Sequence, residues 1–72
     1  MSLLFFDWLQ TQTARTDSVG QLAKHVVKDK LFPRRGKRLF IFLLRYERYP
    51  EQYAQVKLAH REWRRLRKQS EV

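Results

Sequence analysis

The sequence predicts an all-α fold, one compact domain of four or five short helices. Three observations carry this expectation. Apolar residues recur at spacings of three and four, most clearly from Val19 to Val27. Pro33, Pro50 and the Asp17-Ser18 pair stand where helices stop and start. The one run that could form a buried strand, LFIFLL at 39–44, has no second strand to pair with.

The first helix follows Ser2, which is placed to cap it, and uses Leu4, Phe5, Trp8 and Leu9 at helical spacing. The pattern lapses over TQTARTD at 11–17, which reads as a connector. Asp17 can cap the second helix with its carboxylate, and Ser18 with Gln21 offers a capping box one residue later. Val19, Leu22, Ala23, Val26 and Val27 then form one apolar face. Gly20 within that helix marks close packing. Pro33 is expected to end the run and bias Phe32 towards extended dihedrals.

A third helix is expected from about Lys37 to Arg48. Its centre, Leu39–Leu44, is apolar on all sides, as in helices wrapped by neighbours. A fourth helix is expected from Pro50, a favourable first-turn residue beside Glu51, to about Lys68. Tyr53, Val56, Ala59, Trp63 and Leu66 form its apolar stripe, and residues 69–72 read as a frayed tail.

Seventy-two residues support one modest core. No cysteine is present, so neither a disulfide nor a thiolate metal site can staple it. Ten aromatic residues supply large buried area instead. The apolar start MSLLFF has no basic flank and is interrupted by Asp7, and LFIFLL is far too short to span a bilayer. The expectation is a cytoplasmic protein without a membrane association.

The net charge of +9 is unevenly spread. Residues 1–33 hold four basic and three acidic side chains, and residues 34–72 hold twelve and four. Such an asymmetry suits an acidic partner.

Two stretches resemble a known family. MSLLFFDWLQTQ is similar to an N-terminal Ser-Phe-x-x-Trp/Phe-Leu pattern, and RTDSVGQLAKHVVKDKLFP carries Asp17, Val19, Gly20, Leu22, Ala23, Asp29, Phe32 and Pro33 at the spacing of a second signature. Trp63 followed by Leu66 is similar to a third. Together they resemble the YozE-type, sterile-alpha-motif-like (SAM-like) family of small bacterial proteins, best over residues 2–33. The resemblance implies a SAM-like helical bundle. It brings no enzyme, cofactor or binding residue, and suggests nucleic-acid binding only by fold analogy. The chain departs from the family after Phe32-Pro33, where Arg34, Arg35, Lys37 and Arg38 replace polar and acidic residues, and at Glu62, where alanine is usual.

Catalysis has little support. His25 and His60 fall on different helices, no Gly-rich phosphate loop exists, and Asp17 is accounted for as a cap. No cofactor or metal is expected. Two basic clusters stand out instead. Arg34, Arg35, Lys37 and Arg38 lead into the third helix, where phosphate contact competes with a merely solvated charge run. Lys57, Arg61, Arg64, Arg65 and Lys68 form a stripe on the fourth helix, roughly 140° from the apolar one at 100° per residue. Glu62 and Arg65 could pair at i,i+3, and otherwise the face is almost purely positive. Tyr46 and Tyr49 could stack on bases or anchor an interface, or simply pack in the core.

The leading expectation is a small nucleic-acid-binding protein contacting phosphates, DNA favoured over RNA. Residues 17–48 would then supply a helix-turn-helix-like pair. The alternative is an adaptor or inhibitor, of the kind carried by phages and mobile elements, that docks its basic face on an acidic protein surface. Either would act as a monomer or weak homo-oligomer.

Overall fold

The computed structural model describes residues 4–36 and 38–70, with the backbone alone for 69 and 70. Helix α1 covers Phe5–Gln10, α2 Ser18–Lys28, α3 Leu39–Arg45 and α4 Pro50–Ser70. The all-α expectation holds, with four helices among the described residues.

Leu4, in extended conformation, precedes α1 and makes no side-chain cap bond. Ser2, expected in that role, lies outside the described residues. Phe5, Phe6, Trp8 and Leu9 are all buried, so this six-residue helix presents almost its whole girth to neighbours. The Thr11 hydroxyl donates to the Trp8 carbonyl at 2.6 Å and closes its end.

Asp17 caps α2, its carboxylate accepting from the Gly20 amide at 3.0 Å. The Ser18–Gln21 alternative is not used. Gln21 instead accepts from the Gln55 amide on α4 at 3.2 Å. Gly20 faces the connector rather than another helix. A Cβ there would stand 2.0 Å from the Arg15 carbonyl oxygen, so only glycine lets the connector backbone lie against α2. Val19, Leu22, Ala23 and Val26 are buried as expected, while Val27, at the edge of the stripe, is exposed.

Pro33 does not end α2. The helix stops at Lys28, where Asp29 turns extended and its carboxylate accepts from the Leu31 amide at 3.0 Å. This side-chain bond offers the backbone a local alternative to another helical turn.

The core forms around Phe5. Its ring lies 4.6 Å from Phe42, 5.6 Å from Trp63 and 5.1 Å from His60. Phe32 reaches from the α2–α3 connector to stack on Phe42 at 5.3 Å. α1 and α2 pack together, both lie on α4, and α3 lies against α4. Each large side chain fully buried here contributes about 1.5–3 kcal/mol as an upper bound.

α3 differs most from expectation. It ends at Arg45, three residues early, and Lys37, its expected start, lies outside the described residues. It is not wrapped by neighbours. Phe42 is buried and Leu39 and Leu43 pack partly on the core, but Phe40 is 67% and Leu44 53% exposed. α4 ends at Ser70, two residues beyond the expected Lys68, so 69 and 70 are helical, and 71 and 72 of the expected tail lie outside the described residues. Its buried face is Gln55, Val56, Ala59, His60 and Trp63, with Tyr53 half-buried and Leu66 exposed.

Candidate functional site

α4 is long because nothing in it stops a helix, and its two faces are chemically opposed. Five basic side chains, Lys57, Arg61, Arg64, Arg65 and Lys68, fall opposite the buried face by the 100° step. The structure brings all five together around one shallow depression of about 330 Å³. Leu39, at the start of α3, and buried His60 complete its lining.

The i,i+3 pair expected between Glu62 and Arg65 does not form. The Glu62 carboxylate accepts from Arg15 at 3.0 Å, across 47 residues, although it lines a second depression beside Arg65 and Lys68. Arg15 also bonds Asp17 and Gln12. The Arg15 guanidinium, then the Gly20 amide, hold the Asp17 carboxyl below its ordinary value. The one carboxylate in the middle of α4 is thus paired with the α1–α2 connector rather than with a cation of the basic face. Among the described residues, none of the five cations makes an ion pair. The Lys57 ammonium instead lies 5.0 Å from the Tyr53 ring centre.

Lys57–Arg61, Arg61–Arg65 and Arg64–Lys68 are like charges at i,i+4. Each such pair disfavours the helix by a few tenths of a kcal/mol, on the order of 1 kcal/mol in all. That cost is modest, and α4 bears it because its other face packs against α1, α2 and α3.

The first basic cluster is less concentrated. Arg34, Arg35 and Arg38 are exposed, and Lys37 lies outside the described residues. The Arg34 guanidinium sits over the Phe6 ring of α1 at 5.2 Å. Arg38 directly precedes α3 and so stands beside Leu39 at the margin of the depression. Of this cluster, Arg38 has the clearest relation to the α4 face.

Tyr46 is not a stacking or interface residue. It is 1% exposed, and its hydroxyl donates to Asp29 at 2.9 Å. Burial, then the neighbouring carboxylate, push its phenol well above the ordinary value of 10.0. Tyr49 is exposed, with its ring edge-on to Tyr46 at 6.2 Å. Residues 17–48 do hold two helices joined by a connector, but the connector is long for a helix-turn-helix-like pair. Ten residues separate α2 from α3, and the outward face of α3 is apolar rather than equipped to read base edges.

Sequence reasoning missed one polar centre. Asp29 accepts from Arg45 at 3.0 Å as well as from Tyr46 and the Leu31 amide. Burial pushes this carboxyl up, but those three donors together hold it below 3.8. The spacing of Asp29 to Arg45 and Tyr46, 16 and 17 residues across a loop, offered no periodic signal. Asp29 instead appeared only as a position shared with the family signature. His60 is buried among aromatics, whereas His25 is exposed, with its ring edge-on to Tyr46 at 5.5 Å. Among the described residues, no three His, Asp or Glu side chains gather as a metal site would require. No described helix is long and apolar enough to cross a membrane.

The family model described as the YozE SAM-like fold matches residues 5–57, and the chain belongs to that family. No curated protein and no solved structure matches it. The matched stretch ends at Lys57, so Arg61, Arg64, Arg65 and Lys68 lie beyond it.

Proposed function

We propose that this member of the YozE SAM-like family is a non-catalytic nucleic-acid-binding protein. It contacts the phosphates of duplex DNA with the basic face of α4, and Arg38 with its neighbours Arg34, Arg35 and Lys37 extends the contact. One observation carries this reading: five cations share one helix face, and none has a carboxylate partner among the described residues.

From Lys57 to Lys68 the face extends roughly 16 Å at 1.5 Å per residue. Laid along a duplex axis, that length passes about five phosphates of one strand. Each contact releases condensed counterions, and this release supplies most of the affinity. Arginine suits the role, since its planar fork binds phosphate oxygens in pairs. With Tyr46 buried, only Tyr49 of the two candidate rings remains for stacking, which favours duplex over single-stranded partners. Among the described residues none presents itself to read bases, so binding is expected to be insensitive to sequence.

The test is fluorescence anisotropy with a short labelled duplex between about 50 and 200 mM salt. Five phosphate contacts predict a log–log slope of roughly −4 to −5, and several hundred-fold weaker binding across that range. Changing Lys57, Arg61, Arg64, Arg65 and Lys68 together to glutamine should abolish it. No binding by the wild type at the lower salt, or undiminished binding by the variant, would overturn the reading.

A further inference from the structure

The outward face of α3 has no use in phosphate binding and none in the core. Phe40 and Leu44 stand one turn apart with Ile41 beside them, all exposed. The loop before α3 continues this surface. The Leu31 amide and the Arg45 guanidinium bond the same oxygen of Asp29, each at 3.0 Å, and Leu31 itself is 75% exposed. Further along, a Cβ on Gly36 would lie 3.3 Å from Ile41, so the loop runs beside α3 from Arg45 to Ile41. The result is a two-turn apolar strip with the loop as its shoulder.

The segments that flank the strip along the chain are basic. Lys30, Arg34, Arg35 and Arg38 before α3 and Arg48 after it are all exposed. Between Lys30 and Tyr46 the chain has no acidic residue, and Asp29, just before, is occupied by Arg45. Apolar residues at i, i+1 and i+4 with cations on their flanks complement a helix that carries leucine or phenylalanine on one face and carboxylates beside it. A second copy of this chain fits poorly. It would set one +9 molecule on another, and a two-fold contact would lay the same basic flanks against themselves.

We propose that this α3 face docks an acidic amphipathic helical segment of another protein. Phe40 and Leu44 are the anchors, and Arg34, Arg35 and Arg38 meet the carboxylates. The anchors Phe40 and Leu44 lie outside the lining of the α4 depression, while Arg34, Arg35 and Arg38 serve both readings, so peptide and duplex share that cluster.

The probe is a labelled peptide of about 18 residues, with leucine and phenylalanine at i, i+3, i+4 and i+7 and glutamate elsewhere. A scrambled peptide of the same composition is its control. The patterned peptide is expected to bind the wild type at least about tenfold more tightly than the control. The double variant Phe40→Ser, Leu44→Ser should lose that preference while melting as the wild type does and binding duplex DNA unchanged. The α4 glutamine variant should retain the peptide and lose the duplex, so this proposal and the nucleic-acid reading fail separately. Equal affinity for both peptides, or a preference unaffected by the double variant, overturns the proposal. So does a self-association removed by that variant, or binding to phosphatidylserine vesicles without peptide binding, because either assigns the face to another occupant.

Discussion

Arg15 and Arg61 are both arginines at the surface of one small bundle, yet they are placed in opposite ways. Arg15 sits in the α1–α2 connector and bonds Gln12, Asp17 and Glu62, so it ties that connector to α4. Arg45 does the same between α3 and the end of α2 through Asp29. Arg61, with Arg64 and Arg65, faces other cations around an open depression. The apolar residues divide similarly. Those of α2 meet the core apart from Val27, while Phe40, Ile41 and Leu44 of α3 remain outside it. Paired charges and packed hydrophobes stabilise the fold. Unpaired cations and exposed hydrophobes slightly destabilise the lone chain, and they form the two surfaces proposed above to meet other molecules.

The contrast can be broken most severely at Gly20. Gly20→Ala forces a methyl group onto the Arg15 carbonyl, and backbone cannot yield as a flexible side chain would. A loss of about 3 kcal/mol is expected by denaturant unfolding, enough to leave much of so small a domain unfolded. An alanine variant as stable as the wild type would mean that the connector does not lie on α2.

Asp29→Asn comes next. It leaves the Arg45 charge without its counterion and weakens the Tyr46 and Leu31 bonds, for an expected loss of about 2 kcal/mol. Acid unfolding probes the same bonds. Asp29 and Asp17 both ionise more readily in the folded chain, below the ordinary 3.8, so their contribution is complete at neutral pH. It declines as pH falls from about 5 through 3.8 towards the folded values, where the unfolded chain binds protons first. Urea melts of the wild type across that window should show falling stability, and Asp29→Asn should flatten the fall.

The smallest effect is expected at Glu62. Its bond with Arg15 is partly exposed, so Glu62→Gln should cost less than about 1 kcal/mol. Removing a carboxylate from α4 should also tighten duplex binding by about twofold, readable by anisotropy. A large loss of duplex affinity would mean that the Arg15–Glu62 pair helps to form the basic face.

What the sequence revealed followed from local physics. The Asp17 cap, the α2 stripe and the basic side of α4 each depend on helical spacing alone, and each is where spacing put it. What it concealed depended on contacts distant in the chain. Nothing near Glu62 indicates Arg15, and nothing near Tyr46 indicates Asp29. Pro33 looked like the stop of α2 because proline is a strong local signal, but Asp29 acts first through its own side chain. The run LFIFLL looked buried because composition does not tell how much neighbouring surface exists to cover it. With α1 and α2 occupying α4, α3 has room to bury only one side.

The most direct measurement is thermal unfolding of the wild type and of the variant Arg61→Gln, Arg64→Gln, Arg65→Gln, each with and without excess duplex DNA. Without DNA the variant should melt no lower than the wild type, since it loses repulsion and no ion pair. With DNA at about one hundred times the dissociation constant, the wild type should gain about 10 °C or more and the variant almost nothing. A variant that melts as low as Asp29→Asn without DNA, or gains as much from DNA as the wild type, would contradict the account.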